Sequence, residues 1–430
     1  MHLLILTAGT RGDVQPYVAL GRGMRASGHT VTICAPAHFE HFITEHGLAY
    51  AFLNNDIIDL MHSEEGQLAM ENTGTLWETI LTMRRIMPKM GALQRHQIED
   101  FWAAAETTNP DLILFHPKAL GAPDFAEYLG LPCMLGFYLP MYVPTRAFPA
   151  MGFPQLPFGG WYNRLTYHCI NLATWLGTGR YINEWREARG LPRRRGGAYL
   201  QRADGFTIPA LHAYSPAIIP HPADWPPSAV TTGYWFLDQE DTWQPPDALQ
   251  AFLAAGEPPV YVGFGSIFGR DPARLTRIVV EAVQAAGVRA VLAQGWGGLI
   301  LDGFNLPDTI FPIEVVPHDW LFPRVSAVVH HGGCGTTAAG LRAGRPTVVC
   351  PLFGDQPFWG AKVADLGAGP DPLPQKQLTA EALAAAIRQA TTDAAIIEKA
   401  GRLGRQIRRE NGVSEAVYFI ETWMQQQSTS

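Results

Sequence analysis

The chain lacks the features of a disulfide scaffold, a metal protein or a nucleic-acid binder. Its five cysteines (Cys34, Cys133, Cys169, Cys334, Cys350) are odd in number and scattered, with no CxxC pair. That pattern is neither a disulfide framework nor a zinc site, and it fits a reducing compartment. Charged residues are sparse, at 17%, and the net charge is -7, which argues against a general binder of phosphate backbones. No apolar run reaches the roughly 18 residues of a membrane span. The apolar run in MHLLILTAGTRGD is too short for a secretory leader and follows no basic residue, so a cytoplasmic protein is expected. No carboxylate cluster asks for a metal, and none is expected.

What the chain does have is apolar material and sharp punctuation. It is 47% hydrophobic, with 43 glycines and 34 prolines in 430 residues, and its length suits two domains of roughly 200 residues each. LLIL (Leu3–Leu6) reads as a strand, TAGTRGDVQP as a loop, Val14 to about Ala26 as a helix, and TVTICA as a second strand. DLILF and PCMLGF follow as buried-strand candidates. Short apolar strands alternating with helical stretches are the pattern of a parallel sheet covered by helices.

Residues 215–248 hold seven prolines and no clear period, so proline blocks helix and sheet pairing there. The pattern then restarts with PVYVGFGS. A helix follows with Leu275, Ile278, Val279, Ala282, Val283 and Ala286 on one face, started by Asp271-Pro272 and ended by Gly287. Strands RAVLAQ, IFPIEVV, SAVVHH and PTVVCP come next. The expected fold is α/β, two doubly wound Rossmann-like domains facing a cleft, with ligands beyond the carboxyl ends of the strands. Residues 1–220 form the first domain, 221–248 a linker and 249–393 the second. Residues 394–430 are a long helix that can cross back to the first domain, with a frayed tail.

The chemistry concentrates in AVVHHGGCGTTAAGLRAGRPTVVCPLFGDQPFWG, residues 327–360. A strand delivers His331, Gly332 and Gly333 let the backbone approach a ligand, and a helix starts near Gly335 or Thr336. A helix N-terminus offers unpaired N–H groups and partial positive charge to an anion. His331, Thr336 and Thr337 add donors, which together suit a diphosphate; an ordinary capped turn would look similar. Trp320 lies just before that strand, where its indole can stack on a base or simply fill the core. Asp355 and Gln356 follow the next strand and can hold sugar hydroxyls. Ser266 ends another strand within reach of phosphate, or caps its loop.

The run from Val316 to Gly369 resembles the donor-binding signature of GT-B, GT1-type inverting glycosyltransferases that use nucleotide sugars. The likeness is greatest to the sterol 3-beta-glucosyltransferase and antibiotic-aglycone branch, through HHGGxGTT, GLRAGRPTVV and GDQxFWG, with GTRGDVQPYVALG, TRAFP and GGWYNRLTY farther upstream. The resemblance implies that Trp320 stacks on the nucleobase and that His331 binds the pyrophosphate. It also implies that Gly333, Thr336 and Thr337 line the phosphates and that Asp355 and Gln356 grip the sugar, with Thr10, Arg11, Gly12 and Ser266 on the donor side. Plant members of the wider family carry a ribose-binding Glu where this chain has Ala339, so uridine and thymidine donors both stay open.

By the same resemblance Asp13 is the base that takes the acceptor's proton. Asp13 also reads as the cap of a helix starting at Val14. Arg11 and the helix end would lower its pKa, making it a weak base whose proton transfer comes late. His116 and the other scattered histidines are given no role, and His330 is read as structural.

Residues 137–176 are dense in Phe, Tyr, Trp, Met and Pro, as an apolar pocket or an ordinary core would be. The family likeness favours a pocket lined by Phe137, Tyr138, Met141, Phe148 and Trp161. The arginines from Arg180 to Arg195 read as a solvated loop, with weak contact to an anionic membrane as the alternative. The expected reaction moves glucose from UDP-glucose, without cofactor or metal, to a hydroxyl of a sterol or similar lipophilic acceptor, giving a β-glycoside. The alternative is a TDP-sugar on an antibiotic aglycone. A dinucleotide oxidoreductase would need GxGxxG after a strand, and TAGTRGDV lacks that spacing. Against a non-catalytic nucleotide-sugar binder stands the presence of Asp13 together with the whole donor set, and turnover settles it.

Overall fold

The structure, a computed structural model, describes all residues except 64–65, 67–75, 197–198, 240–242, 266–270, 295–298, 302 and 430; residues 61–62, 76–89 and 428–429 are described by backbone alone. It divides into two compact units. The first comprises Met1–Leu60, Met83–Leu237 and Asn411–Ser430, and the second Met61–Thr82 and Asp238–Glu410.

The first unit is built on strands β1 (His2–Leu6), β2 (Thr30–Pro36), β3 (Ala49–Leu53), β4 (Leu112–Phe115), β5 (Cys133–Phe137), β6 (Ala210–His212) and β7 (Ala229–Thr231). They form one parallel sheet in the order β3-β2-β1-β4-β5-β6-β7. Leu3, Leu4, Ile5 and Leu6 are fully buried, the continuous apolar signature of a strand covered on both faces. The chain winds outward from β1 to β3, then returns to place β4 on the other side of β1. A switch point therefore opens between the carboxyl ends of β1 and β4, where a doubly wound sheet holds its ligands.

The second unit repeats the plan with β8 (Val260–Gly263), β9 (Ala290–Ala293), β10 (Ile310–Ile313), β11 (Ala327–His330) and β12 (Thr347–Val349), parallel and in the order β10-β9-β8-β11-β12. Its switch point lies between β8 and β11. The helix Pro272–Ala286 begins where Asp271 accepts the Arg274 N–H at 2.8 Å and stops at Gly287, whose φ is +70°.

Three boundaries differ from the sequence reading. The segment read as a linker contributes β7, paired along β6, and the first turn of a helix, Asp247–Ala254, begins at its end; a three-residue strand between prolines has too little pattern to announce itself. The segment 394–430 is two helices, Ala394–Ile407 and Gly412–Thr429. Only the second joins the first unit, where Ala416, Val417 and Ile420 enter the core beside the helix Arg11–Ala26. Finally, that helix begins at Arg11 rather than Val14. Among the described residues no helix is long and apolar enough to cross a membrane.

Candidate active site

At the switch point of the first sheet the loop after β1 turns sharply through Gly9, whose φ is +125°. A Cβ there would lie 2.1 Å from Asp13 Oδ2, so only glycine lets the carboxylate close against the loop. Thr10 is the N-cap of the helix Arg11–Ala26, and Asp13 stands in its first turn, not at the cap. Its Oδ2 accepts the Thr10 N–H at 2.8 Å, and the Thr7 hydroxyl donates to its carbonyl at 2.7 Å.

The other carboxylate oxygen collects donors from two neighbouring strands. Lys118 Nζ, beyond β4, donates to Asp13 Oδ1 at 2.8 Å, and the Tyr138 hydroxyl, beyond β5, donates at 2.6 Å. His116 Nε2 lies 3.5 Å away. The His116 Nδ1 accepts the Lys118 N–H at 3.0 Å, so a neutral ring carries its proton on Nε2, toward the carboxylate. Burial pushes the His116 pKa down to about 3, against the pull of Asp13. Burial alone would raise the Asp13 pKa, but the Lys118 ammonium and the hydrogen bonds from Lys118 and Tyr138 outweigh it and hold the carboxyl below its ordinary value. Asp13 is thus a buried, ionised, firmly held carboxylate with little appetite for a proton.

The charge that lowers Asp13 comes from Lys118 and not, as the sequence reading had it, from Arg11. The Arg11 Nε donates to Gln15 Oε1 at 2.9 Å, and its guanidinium lies 4.8 Å over the Phe42 ring. Gly12 is exposed in the same first turn. His116 and Lys118 were missed as site residues. The signal available was position: HPK follows the strand DLILF, the neighbour of β1 across a switch point.

In the second unit the carboxyl ends of adjacent β8, β11 and β12 carry Gly265, His331 and the loop to Asp355. The His331 ring fits between two glycines. A Cβ would lie 2.8 Å from its Cε1 at Gly265 and 2.5 Å from its Nε2 at Gly333. Burial lowers the His331 pKa to about 4 despite the nearby Gly263 carbonyl, so the ring is a neutral donor at neutral pH. Gly333 caps the helix Cys334–Arg342. The Thr337 N–H serves the Gly333 carbonyl at 3.0 Å, the first backbone bond of the helix, so the N–H groups of its first turn before Thr337 point along the axis away from the helix. His330 is buried, its Nδ1 accepting the Gly332 N–H at 2.9 Å, as its structural reading requires.

Several expected donor contacts are redirected. Thr337 is fully buried and its hydroxyl donates back to the Gly333 carbonyl at 3.0 Å, whereas Thr336 stays half-buried in the helix's first turn. Trp320 is 8% exposed, within the unit's core, 5.0 Å from the Trp243 ring and 4.4 Å from the Arg324 guanidinium. Its ring is covered by this packing. Gln356 is buried, and its Oε1 accepts the Leu352 N–H at 2.7 Å, which shapes the loop. Asp355 is half-buried at the start of the helix Gln356–Asp365 and accepts the Trp359 indole N–H at 2.9 Å. Ser266 lies outside the described residues. Ala339 packs against the core.

Of the expected acceptor residues, Tyr138 is spent on Asp13, and Phe137 is buried 5.1 Å from the His116 ring. Met141 and Phe148 are half-buried, while Trp161 is 65% exposed on the helix Gly159–Ala188. The arginine run is not a simple solvated loop. Arg186 is fully buried, donating to Asp124 at 2.7 Å and to Glu127 at 2.9 Å. Among the described residues no three His, Cys, Asp or Glu side chains are grouped as metal ligands.

Residues 3–149 match the glycosyltransferase family 28 N-terminal domain, and residues 300–417 match the C-terminal domain of erythromycin biosynthesis protein CIII-like proteins. Sterol 3-beta-glucosyltransferase of Aspergillus terreus is 38% identical over 432 residues, which cover 98% of this chain and 30% of that protein. The chain thus spans about a third of the length of the curated relatives it matches. Among solved structures, the glycosyltransferase of kitacinnamycin aligns over 98% of this chain and 99% of its own, with a TM-score of 0.71 and 20% identity. VinC, solved with dTDP, aligns over 99% and 100% with a TM-score of 0.69 and 17% identity. With two parallel Rossmann-like sheets and this structural likeness over nearly its whole length, the chain has the GT-B glycosyltransferase fold, with an N-terminal part that matches glycosyltransferase family 28 and a C-terminal part that matches the erythromycin CIII-like domain.

Proposed function

We propose that the chain transfers glucose from UDP-glucose, with inversion and without a metal, to the hydroxyl of a sterol or similar lipophilic acceptor. The reading is carried by one coincidence. A chain 38% identical to a sterol 3-beta-glucosyltransferase over nearly its whole length keeps a buried, ionised carboxylate, Asp13, at the switch point of its first sheet.

In this mechanism the acceptor hydroxyl donates to Asp13, displacing Lys118, the most exposed of its partners. The hydroxyl oxygen attacks the anomeric carbon as the bond to the diphosphate breaks. The proton ends on Asp13 and the electron pair on the departing UDP, and an α-linked donor yields a β-glycoside. A carboxylate held this far toward its ionised form takes the proton late. Most of the rate then comes from alignment and from stabilising the diphosphate. The N-terminus of the helix Cys334–Arg342 and the neutral His331 serve that second task.

The fold likeness to VinC, solved with dTDP, supports a second reading, a TDP-sugar passed to an antibiotic aglycone. A mass-spectrometric product screen separates the two. The purified chain is incubated without added metal with UDP-glucose or TDP-glucose and a mixture of sterols, flavonoids and macrolides. Hexosylated sterol from UDP-glucose supports the first reading, and a macrolide product from TDP-glucose alone supports the second. No product from either donor rejects both.

A further inference from the structure

Among the described residues of the first unit, four of the nine exposed large hydrophobic side chains lie on one helix, and a fifth just precedes it. Phe158, Trp161, Leu165, Leu172 and Leu176 are 54%, 65%, 47%, 57% and 74% exposed. From Trp161 onward they recur at helical spacing along Gly159–Ala188 and mark a stripe about 22 Å long. The opposite face is anchored: Thr166, Tyr167, Asn171 and Ile182 are buried, and the Thr166 hydroxyl accepts the Ala150 N–H at 2.8 Å. The stripe therefore exists before anything binds to it. Beside it Arg146, Trp161, Arg164, Leu165 and His168 line an open groove of about 620 Å³.

The charge pattern identifies what covers the stripe. Residues 128–183 contain no Asp or Glu, in a chain that carries 39 of them and a net charge of -7. The cations in that segment are Arg146, Arg164 and Arg180. The acids facing them lie outside it: Asp224, 3.9 Å from Arg164, and Glu184, 2.9 Å from Arg180. An apolar stripe with arginines beside it and no acid along its own length, Glu184 and Glu187 lying beyond its end at the helix C-terminus, complements an anionic bilayer surface, into which such a helix sinks its apolar face by about 5–10 Å. A second copy of this acidic chain offers no such charge advantage.

We propose that the helix Gly159–Ala188 docks the protein on an anionic lipid surface, lying in the headgroup boundary with Trp161, Leu165, Leu172 and Leu176 inward. The proposed lipophilic acceptor gives this docking its purpose, but vesicle binding tests it without turnover.

The test is flotation of the full chain with vesicles of phosphatidylcholine alone or with added phosphatidylserine, comparing wild type with Leu172→Gln/Leu176→Gln. Wild type should float with the anionic vesicles, the bound fraction rising about fivefold over neutral ones and falling at high salt. The double variant should lose most of that binding yet retain its turnover of cyclodextrin-solubilised sterol. Leu176→Gln alone serves if the double variant fails to fold. Equal flotation of variant and wild type, or no flotation of wild type, overturns the proposal. So does a wild-type dimer in sedimentation that the variant dissolves, which would make the stripe a self-contact. A raised KM for solubilised sterol with unchanged flotation also overturns it, since the stripe would then hold the acceptor. Vesicle binding without glucosyl transfer would leave the docking intact and reject the proposed function.

Discussion

Replacing Lys118 by methionine removes the ammonium 2.8 Å from Asp13 Oδ1 and leaves the stem in place. Two unit charges at that distance interact by about 1.5 kcal/mol in a water-like surrounding and several times more in a dry one. The Lys118 side chain is 53% exposed, so the screened figure is the apt one, equivalent to about one pH unit. Asp13 must be ionised to accept the proton, so activity falls as pH drops through its pKa. Loss of Lys118 raises that pKa. The acidic limb of kcat/KM should therefore move up by about one pH unit in Lys118→Met and stay in place in Lys118→Arg, which keeps the charge. The stability linkage has the matching sign. A depressed carboxyl stabilises the fold above its unfolded pKa, near 3.9, and that contribution is lost as pH falls through the folded value. Lys118→Met should thus lower Tm at neutral pH, by an amount that shrinks in acid. Acidic limbs that superimpose for wild type and Lys118→Met would refute the assignment of Lys118 as the group that sets Asp13.

Asp13→Asn should lower kcat by about 10²–10⁴-fold with little change in UDP-glucose affinity measured by calorimetry. Gly333→Ala places a Cβ 2.5 Å from His331 Nε2, so it should raise KM for the donor more than KM for the acceptor in initial-rate kinetics. Trp320→Ala should cost about 3–5 kcal/mol in denaturant unfolding, as a buried aromatic does, with the donor KM of the folded fraction nearly unchanged. A tenfold rise in donor KM there would restore Trp320 as a stacking platform.

The parallel-sheet architecture was legible because strands buried on both faces are written as unbroken apolar runs, as in LLIL and AVVH. The helix Pro272–Ala286 was legible for a similar reason, since its period and both its ends are local signals. His331 between Gly265 and Gly333 was half-visible. The glycines announced a close approach of backbone, but the atom approached was the imidazole itself. Trp320 was ambiguous in the sequence because a tryptophan ahead of a binding loop looks the same whether its ring is open or covered. Burial separates the two cases, and burial is a property of the packed unit.

What the sequence by itself determined is the set of local facts: where strands and helices run, and which loops carry glycine, histidine and aspartate at strand ends. Those follow from periodicity and backbone preference over a few residues. Only the tertiary structure decided that Lys118 and Tyr138, 105 and 125 residues away along the chain, share one oxygen of Asp13. Strand order brought them there, because β4 pairs with β1, and β5 with β4, and no local pattern encodes which strands become neighbours. The helix Gly159–Ala188 shows the same division. Its apolar residues are plain in the sequence, but which of them face inward and which face solvent was settled by what the rest of the first unit packs against it.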